Sequence, residues 1–284
     1  MNSHISFASE ISTTEVAAEN AIKLYIKDLT TGEDDIIEIE ERLDAEVMQG
    51  SAFSPTISEN SIEPYTIIGS DDRMRIPPKL MDRYPYCCIG VVIATLFDGT
   101  EVQGTGFLVG PDDVITAAHV LYDPVHGPVT EAVFYPAVNG PLSSTGYKGI
   151  RIGGPGEYID GGCKTEDDWG FFEVGTTIGN TYGYLGWTTD SQLNDHVNIP
   201  GYPSDKPAYE MWAATGQISY IKEKTMTYTI DTAPGNSGGP VLYLYGKYQN
   251  CVAAIHCAGG QSAINHGKKV DATLANVFYN LRFD

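Results

Sequence analysis

Basic residues are scarce in this sequence. Its 284 residues carry 17 Lys and Arg against 37 Asp and Glu, which gives a formal net charge of −20. No part of the chain resembles a basic stripe large enough to release counterions from a polyanion. The charge balance therefore argues against binding to nucleic acid or to an anionic membrane surface.

Long hydrophobic runs are also missing. The longest apolar stretch, near Ile89 to Phe97, is much shorter than the roughly 18 residues that a membrane-spanning helix needs. The first six residues have neither the basic n-region nor the apolar h-region of a secretory signal. No membrane partner is expected, and no export signal is identified in the sequence.

Cysteine is sparse and odd in number. The chain has five cysteines, so at least one thiol stays unpaired within a monomer, and no dense disulfide framework or C-x-x-C metal pattern is present. They are Cys87, Cys88, Cys163, Cys251 and Cys257.

No cofactor is expected and the chain is expected to be a monomer. The acidic pair Asp71-Asp72 could hold calcium, but solvated loop charges are the simpler interpretation.

Two motifs carry the residue types of nucleophilic catalysis. One is Gly-Asn-Ser-Gly-Gly-Pro at residues 235–240, and the other is Thr-Ala-Ala-His at residues 116–119. A serine hydroxyl is a weak nucleophile at neutral pH, so it needs an imidazole to take its proton and a third group to orient that ring. Ser237, His119 and Asp168 are the candidates for these three roles.

The glycines around Ser237 suit a second task. They permit backbone conformations that turn the N–H groups of Gly235 and Ser237 toward one point, where an oxyanion would be stabilised. Loss of one such donor costs about 2.7–4 kcal/mol of transition-state stabilisation. Taken singly, the serine motif is also compatible with a surface turn, His119 with a structural histidine and Asp168 with a solvated loop residue. Their joint occurrence favours the chemistry.

The order and spacing of these residues resemble the chymotrypsin-like serine peptidases. His119, Asp168 and Ser237 follow one another with separations of 49 and 69 residues. The likeness is strongest to the bacterial glutamyl endopeptidases and covers about residues 66–284. The segments that carry it are Ile67 to Arg73, Tyr84 to Tyr86, Gly201 to Lys206 and Ile255-His256.

This resemblance implies an all-β fold of two antiparallel six-stranded Greek-key barrels, with a C-terminal helix and an N-terminal acidic propeptide. It implies a secreted serine endopeptidase that acts on proteins or peptides. His119 and Asp168 would come from the first barrel and Ser237 from the second, with the active site between them.

An α/β-hydrolase is the rival interpretation, because Gly-Asn-Ser-Gly-Gly also fits the G-x-S-x-G nucleophile elbow. That fold places its acid and histidine after the serine, yet only 47 residues follow Ser237. The sequence Val-Leu-Tyr-Leu-Tyr at residues 241–245 also favours a strand where the elbow requires a helix. The esterase interpretation is therefore rejected.

Three divisions of the chain are expected: a propeptide at 1–65, a first barrel at 66–178, and a second barrel with the closing helix at 179–284. The propeptide holds 14 Asp and Glu against 3 Lys and Arg, and residues 21–26 and 35–39 have strand-forming patterns. Residues 50–64 are interpreted as a linker. Cleavage near Tyr65-Thr66 would free the mature enzyme, with an activator that the sequence does not identify.

The remaining part has the pattern of a β protein. Its predicted hairpins join 91–97 to 102–109 through Asp98-Gly99, 217–221 to 225–231, and 242–245 to 252–256. A closing helix is predicted over 274–283.

Substrate choice is inferred from the same resemblance. A carboxylate that enters a pocket loses water and needs a local donor or cation, and glutamyl endopeptidases supply a histidine and a hydroxyl. The matching positions are His256 and Thr232, while the amine of a new N-terminus at Thr66 would add positive charge. Asn236 stands where trypsin-like enzymes use an aspartate to capture that amine.

Three alternatives stay open. His256 and Thr232 could be ordinary core and strand residues, the enzyme could have another preference at the cleavage site, and the chain could be an inactive protease-like binding module.

Overall fold

The computed structural model describes residues 21–54, 71–142, 145–259 and 265–283. The strands within these ranges are β1 (Ala21–Asp28), β2 (Asp34–Glu40), β3 (Met74–Arg75), β4 (Ile89–Thr95), β5 (Glu101–Leu108), β6 (Asp113–Thr116), β7 (Tyr122–Asp123), β8 (Gly127–Pro128), β9 (Glu131–Pro136), β10 (Tyr147–Pro155), β11 (Gly170–Val174), β12 (His196–Gly201), β13 (Trp212–Ile221), β14 (Thr225–Tyr228), β15 (Pro240–Tyr243), β16 (Val252–Gly259) and β17 (Asn265–Lys269). The α-helices are α1 (Ala45–Met48), α2 (Ala118–Leu121), α3 (Gly156–Asp160), α4 (Gly179–Tyr182) and α5 (Ala272–Phe283). Three short 3₁₀ turns cover Pro78–Leu80, Tyr86–Cys88 and Thr165–Asp167.

Six strands close into the first barrel. They pair antiparallel in the order β11-β6-β5-β4-β9-β10, and β10 returns to pair with β11. The predicted Asp98-Gly99 turn joins β4 to β5, with Gly99 at a φ of +85° and Thr100 N donating to Asp98 Oδ1 at 2.9 Å. Glycine accepts this left-handed conformation at little steric cost, which is why the hairpin turns here.

The second barrel is closed in the same way. Its order is β12-β15-β16-β17-β14-β13, with β12 pairing back to β13, and β3 extends the edge at β13. The chain then ends in α5, whose Phe278 ring meets Phe107 of the first barrel edge-on at 6.4 Å. The expected fold class of two antiparallel six-stranded barrels with a C-terminal helix is confirmed.

Strand β4 shows why the barrels pack together. It reads Ile-Gly-Val-Val-Ile-Ala-Thr, apolar on both of its faces. Val92 and Ala94 lie in the core of the first barrel, whereas Val91 belongs to a cluster that also contains Leu242 and Ile255 of the second barrel. Alternate residues of one strand therefore fill two cores, and the groove between the barrels is fixed by this shared layer.

The strands predicted at 21–26 and 35–39 are present as β1 and β2. They form an antiparallel hairpin, and β1 also pairs with β10, so the hairpin extends the sheet of the first barrel. Residues 50–53 of the predicted linker contact the body of the protein, with Phe53 and Tyr184 forming a β-bridge. Residues 55–64 of that linker, the proposed cleavage bond and Thr66 lie outside the described residues.

All five cysteines lie within the described ranges and are free thiols. The adjacent Cys87 and Cys88 have their Sγ atoms 3.9 Å apart. Among the described helices, none is both long and apolar enough to cross a membrane.

Candidate active site

His119 and Asp168 are joined by two hydrogen bonds. His119 lies on the single turn of α2, and Asp168 ends the 3₁₀ turn that precedes β11. The ring Nδ1 is 2.8 Å from Asp168 Oδ2, and the backbone N of His119 donates to Oδ1 at 3.0 Å. With both carboxylate oxygens engaged and Asp168 buried, the ring is held with Nδ1 as donor and Nε2 facing away as a base.

The loop that carries Ser237 packs directly on the segment that precedes His119. Thr105 N of β5 donates to the Ser237 carbonyl at 2.8 Å. Gly238, at a φ of +84°, lies so close to Thr116 and Thr105 that a Cβ there would overlap the hydroxyl of the first and the carbonyl of the second. Only a residue without a side chain fits this position, because both the space and the left-handed backbone exclude others.

Gly104 gives a second measure of this contact. A Cβ added to Gly104 would lie 2.8 Å from Val120 Cγ2 and 3.1 Å from the Ser237 carbonyl oxygen. Val120 directly follows His119, so one glycine of β5 separates the histidine turn from the serine loop. Main-chain atoms of the Ser237 loop thus pack against the residues beside His119, while no hydrogen bond joins Ser237 Oγ to the His119 ring among the described residues.

The amides of Gly235 and Ser237 are available to an incoming group. Neither N–H donates a hydrogen bond to another described residue. Gly235 has a φ of +94°, and its carbonyl is held by the hydroxyl of Thr105 at 2.7 Å. The carbonyls that share peptide planes with these two N–H groups are also held: Pro234 O accepts from Ser204 N at 2.8 Å, and Asn236 O accepts from Gly239 N at 2.9 Å. Both donors are therefore oriented before any ligand arrives.

Asn236 holds the same loop from inside. Its side chain is buried, its N–H donates to the Ala233 carbonyl at 3.1 Å, and its Oδ1 accepts from Ala233 N at 3.4 Å. The residue before Ser237 is therefore an uncharged amide that closes the loop. Trypsin-like enzymes have an aspartate at this position.

His256 lies against the serine loop on β16. Gly238 N donates to its carbonyl at 2.7 Å, and its own N–H donates to the Gly239 carbonyl at 2.8 Å. The side chain is only 2% exposed. Burial, reinforced by the nearby His119 and His266, lowers the pKa of His256 to about 3. The ring is consequently neutral at physiological pH.

Known proteins resemble this chain in sequence and in fold. The family of the trypsin-like peptidase domain matches residues 104–248. The Glutamyl endopeptidase of Bacillus licheniformis is 34% identical over 80% of this chain and 71% of its own length, and the Extracellular metalloprotease of Bacillus subtilis is 32% identical over 78% and 71%. A solved Glu endopeptidase in complex with MPD superimposes with a TM-score of 0.64 and 27% identity, covering 76% of this chain and 98% of that one. The chain is a serine endopeptidase of the trypsin-like peptidase family.

Two contacts in this endopeptidase were missed by sequence reasoning. The hydroxyl of Tyr228 lies 2.8 Å from His256 Nδ1, and both residues are buried. The thiol of Cys257 donates to the Asp168 carbonyl at 3.1 Å. The buried alternation of β14 puts Tyr228 inside the barrel, and a buried tyrosine hydroxyl needs a partner. The sequence pattern therefore indicates that the Tyr228 hydroxyl is buried and needs a partner, but it does not identify that partner.

Thr232 and Thr66 are the other residues predicted to line the substrate pocket with His256. Thr232 is partly exposed in the loop after β14, and no hydrogen bond links it to His256 among the described residues. Its neighbour Asp231 accepts from Asp72 N at 3.2 Å. Thr66 lies outside the described residues.

The two members of the acidic pair Asp71-Asp72 differ in their contacts. Asp71 contacts Arg73 at 2.8 Å and Lys206 at 2.5 Å, and these ion pairs lower the pKa of its carboxyl well below the usual range. Within the described ranges, no three His, Cys, Asp or Glu side chains are grouped in a way that would hold a metal ion. Asp71 is thus part of an ion-pair network, whereas Asp72 Oδ1 is buried with no hydrogen-bond partner among the described residues.

Proposed function

We propose that this peptidase cleaves peptide bonds after Glu or Asp through a triad of His119, Asp168 and Ser237, and that it is a secreted enzyme made as a zymogen. The observation that carries the proposal is the double hydrogen bond between His119 and Asp168, beside a serine loop in which two amides have no hydrogen-bond partner among the described residues. Each step of peptide hydrolysis has a residue of this site to perform it.

Acylation begins when Ser237 Oγ attacks the scissile carbonyl carbon. His119 Nε2 takes the hydroxyl proton and returns it to the leaving amine, while Asp168 stabilises the transient imidazolium. The N–H groups of Gly235 and Ser237 bind the oxyanion of the tetrahedral intermediate. A water molecule then repeats the sequence on the acyl-enzyme, and its proton passes through His119 back to the serine oxygen.

A preference for Glu is supported by the state of His256. If the Tyr228 hydroxyl donates to Nδ1, the neutral ring carries its proton on Nε2 and offers one donor to a substrate carboxylate. The arriving negative charge then raises the pKa of His256 and strengthens the contact. Thr232 supplies a hydroxyl to the same carboxylate. The names of the relatives from Bacillus licheniformis and of the solved Glu endopeptidase agree with this preference.

Activation by cleavage near Thr66 is supported by the position of Asp72. Its backbone N–H contacts Asp231, the neighbour of Thr232. Asp72 is six residues after Thr66, a reach of about 20 Å in extended chain, so an amine at Thr66 can approach the pocket and add positive charge. Secretion is inferred from the relative that is named an extracellular protease.

A serine-directed fluorophosphonate and a peptide panel test this function. The purified protein should be labelled at Ser237 much faster after proteolytic activation than before it, and His119→Ala should abolish labelling. A panel that varies only the residue before the cleaved bond should show the highest kcat/KM for Glu. Absence of labelling in every form would indicate an inactive binding module, and a different preferred residue would indicate another peptidase specificity.

The pocket residues have their own test. His256→Ala should lower kcat/KM for Glu substrates much more than for matched Gln substrates, because only the carboxylate needs the lost donor. Equal losses would assign His256 a structural role. Extending the mature N-terminus by one residue before Thr66 should weaken turnover of Glu substrates, and unchanged turnover would exclude the amine from the pocket.

A further inference from the structure

We propose that residues 21–54 are not released by activation but stay bound to the catalytic barrels as the small chain of a two-chain enzyme. The inference rests on the proposed function, because the segment becomes a separate chain only if the bond near Thr66 is cleaved. That bond and residues 55–70 around it lie outside the contacts described below. Hydrolysis there would break none of those contacts.

The hairpin of β1 and β2 depends on the first barrel. Five residue pairs join β1 to β10, from Leu24 opposite Pro155 to Asp28 opposite Arg151. The side chains of Leu24 and Ile26 are buried, at 2% and 5% exposure. An isolated two-stranded hairpin is marginal in water. The stability of this hairpin therefore comes from β10 and the core beneath it.

The next part of the segment inserts into the seam beside Trp187. Val47 is fully buried, and its carbonyl accepts the indole Nε1–H of Trp187 at 2.8 Å. Gly50 lies flat against the indole, where an added Cβ would overlap the ring, and its carbonyl accepts from Trp187 N at 3.0 Å. Departure of the segment would expose this indole and leave its N–H without that partner, at a cost typical of buried polar groups.

Helix α5 makes a second set of bonds to the segment. Asn276 is fully buried, and its side chain accepts from Arg42 N at 2.7 Å and donates to the Arg42 carbonyl at 2.8 Å. Arg282 donates to the Ser51 carbonyl at 2.5 Å while its guanidinium lies 4.2 Å from the centre of the Trp187 ring. A side chain that pairs both backbone groups of one residue acts as a strand partner would. The segment is thus tied to the C-terminal end of the chain as well as to the first barrel.

The hairpin also reaches the back of the active site. Tyr25 lines an apolar cavity together with Ala118, which directly precedes His119, and Trp169, which directly follows Asp168. Loss of the hairpin would remove Tyr25 from the wall of this cavity and expose more of the wall to solvent. Retention of the segment therefore supports the position of the His119 and Asp168 pair.

The experiment separates retention from catalysis. The full chain carries Ser237→Ala, which prevents self-cleavage, and residues 61–65 are replaced by the recognition sequence of a protease that cuts directly after it, so that the cut leaves Thr66 as the new N-terminus. After complete cutting, the two fragments are passed through native size-exclusion chromatography and quantified by mass spectrometry. We expect them to co-elute at one to one. A catalytic fragment that elutes alone with an intact near-ultraviolet dichroism spectrum would overturn the inference.

Matched variants test the named contacts. In the cut protein, Val47→Asp should release at least half of the small chain, because a carboxylate would enter the seam beside Trp187. Ile36→Asp changes an exposed residue of the same hairpin and should retain it fully. Equal retention in both variants would contradict the assigned interface. The same cut in a chain with Ser237 intact reports activity, so a retained small chain without Glu cleavage would refute the proposed function and not this inference.

Discussion

The first barrel presents its part of the active site through side chains, whereas the second presents most of its part through backbone. His119 and Asp168 are held by hydrogen bonds between an imidazole, an amide and a carboxylate. The loop of Ser237 is shaped by Gly235 and Gly238, both with positive φ. The geometry of the first half therefore depends on hydrogen bonds made by side chains. The geometry of the second half depends on the backbone conformation of the serine loop.

The two halves also treat their histidines differently. The side chain of His119 is about one third exposed and bonded to a carboxylate, as a group that exchanges protons with substrate must be. His256 is buried beside a tyrosine, and burial holds its pKa at about 3. In the proposed mechanism, His119 changes its charge during turnover, whereas His256 stays neutral until an anionic substrate side chain arrives.

The largest effect is expected at the triad. Ser237→Ala and His119→Ala should each lower kcat by about 10⁵–10⁶-fold, and the double variant should lose little more, because the two residues act as a unit. Steady-state kinetics on a peptide substrate measure all three. A strongly additive double loss would contradict the shared role.

His126 provides the matched control for this experiment. Its Nδ1 and backbone N lie 2.9 and 2.8 Å from Asp123 Oδ1, which is nearly the same motif on the surface of the same barrel. His126→Ala should leave kcat unchanged. A comparable loss would mean that histidine substitution acts through folding and not through the proton.

The backbone half is tested by Gly238→Ala. An added methyl would overlap Thr116 and Thr105, so we expect at least a 100-fold loss of kcat/KM together with a destabilisation of about 3 kcal/mol. Gly246 has the same φ of +84° with nothing within 4 Å of an added Cβ. Gly246→Ala should cost about 1 kcal/mol and leave activity intact. Similar thermal and kinetic results for the two variants would show that φ alone, and not the packing of the serine loop, decides the outcome.

Sequence reasoning succeeded where the signal was local. The Asp98-Gly99 turn, the alternation of β14 and the Gly-rich serine loop each specify their own conformation. It could not foresee that β1 pairs with β10, more than a hundred residues away, because the edge of a barrel accepts any strand of suitable pattern. The bonds of Tyr228 to His256 and of Cys257 to Asp168 were missed for the same reason, since each joins separate elements whose register only the fold defines.

Acid should destabilise the protein through His256. Its pKa of about 3 in the folded state lies below the roughly 6.5 of an unfolded chain, so the unfolded state binds the proton first. Its contribution to stability is complete above about pH 6.5 and declines as the pH falls toward 3, by up to about 1.4 kcal/mol per pH unit. Urea unfolding from pH 7 to pH 4.5 measures this decline. His256→Gln should flatten it, and an unchanged slope would assign the acid sensitivity to other groups.

The smallest predicted effect concerns the hydroxyl of Tyr228. Tyr228→Phe keeps the ring that packs in the second barrel but removes the hydrogen bond to His256 Nδ1. A hydrogen bond of this kind contributes about 1 kcal/mol, so kcat/KM for Glu substrates should fall by about 5- to 10-fold, while matched Gln substrates change little. The ratio of the two substrates separates this role from a structural one, because a loosened barrel would slow both equally. A fall confined to Glu substrates would show that Tyr228 determines which tautomer His256 adopts. Asp168 has the same role toward His119 in the proposed mechanism.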